Sequence, residues 1–177
     1  MQITPRPFDQ TVMMIAGCLL FMCGLLIGVA VQAPGAPIIG MAHTLGLLES
    51  VFMLAFVALR PYLYLSFANA WLFCGLTIVS FYCNFIGISL TVITGAGAGM
   101  YLPPWGSYVT DSPSAANFWV GFTLNMSSAA VAIPLLLVGG WLDQRATKPR
   151  LQGWMFYISI LLTIVFLALT FIPNLLG

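Results

Sequence analysis

Charged residues are scarce in this chain of 177 residues. Five lysines and arginines and four aspartates and glutamates make up 5% of the chain, whereas 61% of the residues are hydrophobic. Soluble domains carry about 25% charged residues, so this inventory cannot cover a water-facing surface. A net charge of +1 provides no basic patch, which argues against nucleic-acid binding. The composition therefore predicts a membrane protein, and its length predicts one domain over residues 1–177.

The sequence also lacks the motifs of several kinds of site. Its four cysteines form no C-x-x-C pair and lie inside apolar runs, which indicates small buried hydrophobic residues rather than a redox or zinc site. It has one histidine, whereas a zinc hydrolase needs three protein ligands. It shows no nucleophile elbow for a Ser/His hydrolase and none of the internal repeats typical of secondary transporters.

Long hydrophobic runs are plentiful, and they predict an all-α transmembrane bundle. Five stretches are long enough to cross about 30 Å of hydrocarbon at about 1.5 Å per residue. They cover about residues 11–32, 41–59, 70–94, 117–141 and 152–172. The first is too long for the core of a typical signal peptide and Asp9 precedes it, so we interpret it as a retained membrane helix.

The basic residues predict how the bundle is oriented, because Lys and Arg are retained on the cytoplasmic side of a membrane. With five spans, every basic residue falls on one side, and the opposite side carries only Asp111. We therefore expect a cytoplasmic N-terminus and a C-terminus outside. The basic residues are Arg6, Arg60, Arg145, Lys148 and Arg150.

Glycines mark two further features. Gly24 and Gly28 form a G-x-x-x-G spacing that lets another helix approach closely, either within the chain or in an oligomer. The longest predicted loop, about residues 95–117 on the outer side, opens with a glycine run that lacks the spacing of a phosphate loop. We interpret this loop as an interfacial segment, with a lid over a buried site as the alternative.

Few strongly polar residues lie inside the spans, and these are the candidate site residues. An ionisable residue within a span costs about 2.5–3.5 kcal/mol on insertion scales and marks a functional site by default. Glu49 is the one acid well inside a span, and His43 opens the same helix. Residue counting places Glu49, Asn84 and Asn125 at one depth on three helices, roughly 12 Å from the outer boundary, with His43 above them.

Structural roles remain open for some of these residues. Asn84 and Asn125 can serve as interhelical hydrogen-bonding groups, and His43 can be a solvated side chain near the interface. Glu49 points roughly 120° away from His43 around the helix axis. Gly46, one turn below His43, is expected to leave open space for a large flat ligand. A single histidine is compatible with five-coordinate haem.

Three short segments resemble a known family of small membrane enzymes. They are MAHTLG at residues 41–46, FYCNF at residues 81–85 and GAG at residues 95–97. The pattern resembles hydroxylaminobenzene mutase and the related styrene oxide isomerase, both four-helix membrane proteins. The resemblance covers about residues 11–142 and leaves the fifth predicted helix as an addition to a four-helix core.

The resemblance implies an isomerase with a haem b at the interface of a homotrimer, bound by the histidine that matches His43, with Gly46 beside it. Ferric iron then acts as a Lewis acid on an epoxide oxygen, and a 1,2-shift gives a carbonyl product. The mutase moves a hydroxylamine oxygen to the ortho ring carbon, again without net oxidation.

Three positions depart from the isomerase pattern. Where that pattern carries Asn, Asp and Tyr, this chain has Glu49, Ser80 and Ile88. The changes are compatible with haem ligation by His43 but argue against styrene oxide as the substrate. A carboxyl at Glu49 can serve as a general acid or base.

The sequence therefore predicts a membrane-embedded isomerase or mutase for a hydrophobic, oxygen-bearing small molecule of epoxide or hydroxylamine type. Glu49 and Asn84 are its predicted catalytic residues, and His43 and Gly46 are its predicted haem-binding residues. The alternative is a small transporter or accessory subunit in which Glu49 is an ion site or a structural residue.

Overall fold

A computed structural model describes residues 8–30, 36–94 and 115–176. In these ranges the chain is helical apart from short connections at residues 63–66 and 146–151, and it contains no strand. Five segments are long and apolar enough to cross a membrane, as the sequence predicts. The polytopic all-α prediction is therefore confirmed. The helices are α1 (Phe8–Ala30), α2 (Ala36–Leu59), α3 (Phe67–Thr94), α4 (Ala115–Met126), α5 (Ile133–Arg145) and α6 (Gln152–Leu176).

The fourth membrane span is built from two helices rather than one. A 3₁₀ segment, Ser127–Ala132, joins α4 to α5, and together they form the apolar span Phe118–Arg145. Pro134 lies in the first turn of α5. Proline has no N–H and fits the first turn of a helix, so Pro134 is compatible with the start of a new α-helix directly after the 3₁₀ segment.

The α1–α2 contact depends on glycine. A Cβ on Gly24 would lie 3.1 Å from the backbone carbon of Gly46, and a Cβ on Gly17 would lie 3.2 Å from the Cβ of Met53. Two helix backbones approach this closely only where side chains are absent. Of the two interpretations of the G-x-x-x-G spacing, the structure shows the intrachain contact.

The core lies between α1, α2, α3 and α5. Phe73, Leu20, Met53 and Leu136 are fully buried there. The outer faces of the helices carry exposed apolar side chains, especially on α1 and α6, as expected where lipid is the solvent.

The prediction of buried cysteines is correct for only part of the set. Cys74 is buried and Cys83 is half-buried, but Cys18 and Cys23 are exposed. Both exposed cysteines lie on the outer face of α1 beside exposed apolar residues such as Leu19 and Met22. Apolar patterning cannot separate a core-facing cysteine from a lipid-facing one, because both environments are apolar.

Polar contacts gather the helix ends at one end of the bundle, which we call the basic end because Arg60, Arg145, Lys148 and Arg150 follow or end its helices. Arg60 Nε donates to Asp9 Oδ2 at 2.8 Å, which ties the start of α1 to the α2–α3 connection. The backbone N–H of Tyr64 donates to the carbonyl of Gly140 at 2.9 Å, which ties that connection to α5.

A second polar cluster at the basic end attaches α6. Asp143, at the end of α5, accepts hydrogen bonds from the backbone N–H groups of Arg150 and Leu151 and from Gln152 Nε2. Asn69 Nδ2 donates to the Gln152 side chain at 2.9 Å and to its carbonyl at 2.8 Å. Hydropathy along the chain does not indicate this cluster, because it depends on how the connection between α5 and α6 folds and on Asn69 from α3.

Candidate active site

His43 lies on α2, far from the basic end. It lies seventeen positions before Arg60, about 25 Å along a helix. Its Nδ1 is 2.8 Å from the carbonyl oxygen of Gly24 on α1. A carbonyl oxygen can only accept, so Nδ1 carries the hydrogen and, in the neutral ring, Nε2 keeps its lone pair.

Gly28, one turn beyond Gly24 on α1, makes room for the imidazole. A Cβ built on Gly28 would overlap Nδ1 of His43 and would lie 2.6 Å from its Cε1. Any other residue at this position would displace the ring. The two glycines of the G-x-x-x-G spacing therefore form a cradle for His43, in which Gly24 supplies the acceptor and Gly28 supplies the space.

The open space predicted beneath His43 is absent from the described structure. A Cβ on Gly46 would lie 2.7 Å from Cε2 of Phe85 on α3 and 2.9 Å from Cα of Gly24 on α1. Gly46 is needed for close helix packing, and the space below the imidazole holds an α1 backbone and an aromatic ring. The prediction was wrong because it considered α2 without its neighbours.

Glu49 and Asn84 meet in the middle of the bundle. Asn84 Nδ2 on α3 donates to Glu49 Oε1 on α2 at 2.7 Å. Residue counting placed both side chains at one depth, and the structure brings them into contact. Glu49 is buried, with 6% of its surface exposed, while Asn84 is half-buried.

The second oxygen of Glu49, Oε2, is buried and has no hydrogen-bond partner among the described residues. It is the one carboxyl oxygen among the five buried side-chain atoms of those residues that lack a partner; the others belong to serines and an asparagine. The hydroxyls of Ser50 and Ser80 donate instead to carbonyls of their own helices, those of Leu47 and Leu76, each at 2.6 Å. A buried carboxyl oxygen without a partner costs about 1–3 kcal/mol. Such an atom is a candidate for bonding a molecule that enters the site.

Other predicted residues have different surroundings. Asn125 is buried on α4, with 3% of its surface exposed. Ile88, where the isomerase pattern has Tyr, belongs to a small apolar cluster with Ala42, Val120 and Leu124. Because Ala42 precedes His43 on α2, this cluster lies at the level of the histidine, on a different face of the helix.

No three side chains of His, Cys, Asp or Glu come together within the described ranges to hold a metal ion. A multi-ligand metal site within one chain therefore has no basis in these residues, whereas a group held through one axial ligand needs only His43. The predicted interfacial or lid loop falls mainly on residues 95–114, and that part lies outside the described residues, as does Arg6.

The family model of styrene oxide isomerase matches residues 9–142, about three quarters of the chain. The chain belongs to the styrene oxide isomerase family. The match includes His43, Gly46, Glu49 and Asn84 and stops before α6, so α6 is an addition to the matched region. No curated protein and no solved structure matches the chain.

Membership in the styrene oxide isomerase family, together with five apolar helices, indicates a membrane isomerase. The family assignment agrees with the resemblance carried by the segments around His43 and Asn84. The matched region also includes all three positions, Glu49, Ser80 and Ile88, at which this chain departs from the isomerase pattern.

Proposed function

We propose that this protein is a membrane isomerase that rearranges a hydrophobic, oxygen-bearing small molecule, an epoxide or a hydroxylamine, with a haem b held by His43. The observation that carries the proposal is the hydrogen bond from His43 Nδ1 to the Gly24 carbonyl. Metal-binding histidines almost always donate their other ring N–H to a carbonyl or carboxylate, which fixes the tautomer and the ring orientation.

The residues around His43 fit a haem held by one axial ligand. The imidazole is oriented by α1, and Nε2 has no hydrogen-bond partner among the described residues. The apolar cluster containing Ala42 and Ile88 lies at the level of His43 in the bundle, where the surroundings suit a hydrophobic group. Ferric haem would supply a Lewis acid that polarises an oxygen of the substrate without net electron transfer.

Glu49 supplies the proton chemistry in this proposal. Asn84 holds Oε1, so the carboxyl has a fixed orientation and Oε2 is the atom that gives or accepts a proton. A positioned general acid or base contributes about 10²–10⁴-fold to a rate. Asn84 is half-buried and lies next to this atom, where it can also contact the substrate.

A homotrimer and an N-inside orientation complete the proposal. The resemblance implies that a haem lies between subunits, and His43 is only half-buried within one chain. On the same helix, Leu48 and Val51 are exposed, which leaves an apolar surface for lipid or another subunit. The contacts that join the helix ends at the basic end support a shared cytoplasmic side for Arg60 and Arg145.

The decisive experiment is an absorption spectrum of the detergent-purified protein, together with the His43→Ala variant. We expect a Soret band in the wild type that is lost in the variant, along with isomerase activity on a panel of epoxides and aryl hydroxylamines. Cys83→Ala is the matched control, since it removes a half-buried potential sulfur ligand on α3 and leaves His43 in place.

Two results would contradict the haem proposal. One is a wild-type preparation without a Soret band, and the other is full activity in His43→Ala. Product analysis on the panel separates the two reaction types, because an epoxide gives a carbonyl compound whereas an aryl hydroxylamine gives an aminophenol.

A further inference from the structure

The contact between α1 and His43 has a consequence beyond close helix packing. Gly24 and Gly28 lie one turn apart on one face of α1, and both touch α2 at or near His43. Gly24 contributes a backbone carbonyl that is 2.8 Å from Nδ1. Gly28 leaves room for the ring, because a Cβ at this position would overlap that same nitrogen.

We infer that the Gly24-x-x-x-Gly28 segment is a positioning element, which locks His43 in the Nδ1–H tautomer and presents the lone pair of Nε2 to a ligand. An isolated neutral imidazole exchanges between two tautomers, and only the one with a bare Nε2 binds iron or accepts a proton through that atom. The haem version of this inference rests on the proposed function, but the tautomer itself does not.

The glycines act together in this inference. Gly24 alone would leave a carbonyl acceptor, but a side chain at position 28 would push the ring away from it. A side chain at position 24 would lie 3.1 Å from the backbone of Gly46 and would move the carbonyl of residue 24 away from the ring, which could then hydrogen-bond through either nitrogen. Gly46 completes the arrangement, because a Cβ there would lie 2.9 Å from Cα of Gly24 and would move α1 away from α2.

The chain contains one histidine, which makes a direct test practicable. The full-length protein labelled with ¹⁵N-histidine, in detergent and without added haem, gives one pair of imidazole nitrogen resonances. We expect the wild type to show a protonated Nδ1 and an unprotonated Nε2. A wild-type ring protonated only at Nε2 would overturn the inference, whatever the haem content.

The variant that tests the space is Gly28→Ala. We expect loss of the dominant Nδ1–H signal and a decrease in haem affinity of roughly 10- to 100-fold, the range found when an outer partner of a metal ligand is removed. Gly17→Ala is the matched control, since it also adds a Cβ to α1 against α2, 3.2 Å from the Cβ of Met53. It should keep the wild-type tautomer and haem affinity.

A steric double-mutant comparison covers the case in which Gly28→Ala is poorly folded. Gly28→Ala should lower the thermal midpoint in the presence of His43 and have a much smaller effect in the His43→Ala background, where the overlapping ring is gone. Equal decreases in both backgrounds would contradict the inference.

The outcomes separate this inference from the proposed function. A wild type without a Soret band but with the Nδ1–H tautomer, lost in Gly28→Ala, would contradict the haem proposal and support the positioning role. A haem-containing, active Gly28→Ala protein with an unchanged tautomer would contradict the positioning role and leave the proposed function standing.

Discussion

Two buried carboxyl groups of this protein differ in how completely they are bonded. At the basic end, both oxygens of Asp143 accept hydrogen bonds, from two backbone N–H groups and from Gln152. In the candidate site, Glu49 accepts one hydrogen bond, from Asn84, and Oε2 has no partner among the described residues. Both residues are nearly inaccessible, with exposed fractions of 3% and 6%.

The difference distinguishes a structural carboxyl from a candidate catalytic one. A buried carboxyl group that only supports the fold is expected to have both oxygens hydrogen-bonded, because each unsatisfied atom costs about 1–3 kcal/mol. Asp143 meets that expectation and joins α5 to α6. Glu49 does not, and the cost is reasonable if the atom bonds a substrate. Substitution of Glu49 should therefore lower activity with little effect on stability, whereas substitution of Asp143 should lower stability with little effect on activity.

The largest expected effect is the loss of activity in Glu49→Gln. Glutamine keeps an oxygen that can accept from Asn84 but cannot act as an acid or base at pH 7, so the isomerisation rate should fall by about 10²–10⁴-fold. Thermal midpoint and Soret absorbance should stay close to wild type. Asp143→Asn is the control and should keep the wild-type rate. A wild-type rate in Glu49→Gln would remove the catalytic role.

The next effect is a loss of stability at the basic end in Arg60→Ala. The side chains of Arg60 and Asp9 are only 17% and 11% exposed, and Arg60 Nη1 also donates to the carbonyl of Leu63. Hydrogen bonds to charged groups contribute about 1.5–3 kcal/mol. The free energy of unfolding, measured in mixed micelles, should decrease by that amount, while activity per folded molecule stays unchanged. A double-mutant cycle with Asp9→Asn should give a favourable coupling; additive effects would show that the pair contributes nothing.

A smaller loss is expected in Asp143→Ala. The substitution leaves the N–H groups of Arg150 and Leu151 without their acceptor. A buried unsatisfied donor lowers the free energy of unfolding by about 1–3 kcal/mol, and the loss is smaller where water replaces the carboxylate. Because Asp143 bonds the start of α6, faster amide exchange should appear first around Gln152. Faster exchange appearing first near His43 would contradict the conclusion that the basic end and the candidate site have separate roles.

The smallest effect is expected in Ser80→Ala. The Ser80 hydroxyl is buried but donates only to the Leu76 carbonyl of its own helix. That carbonyl also belongs to the α-helical ladder, so stability should change by less than about 1 kcal/mol. The isomerisation rate should be unchanged, although the isomerase pattern has Asp at this position. A rate decrease above tenfold would place Ser80 in the site.

The sequence predicted much of the candidate site but not its bonding. His43, Glu49 and Asn84 were identified because strongly polar residues are rare inside apolar spans. The Glu49–Asn84 contact agrees with their predicted depth, while their catalytic roles and haem binding by His43 stay predictions. The cradle formed by Gly24 and Gly28 was missed, since a G-x-x-x-G spacing indicates only that some helix approaches.

The sequence by itself determined the membrane class, the five spans and the clustering of basic residues. Each of these depends on hydropathy and charge summed along a continuous segment, and insertion into a bilayer responds to the same local sum. The tertiary structure alone decided which helix faces the G-x-x-x-G segment, that Gly46 is packed rather than open, and that one oxygen of Glu49 is left unbonded. Those features depend on distances of a few ångströms between helices far apart in the chain, which no local pattern specifies.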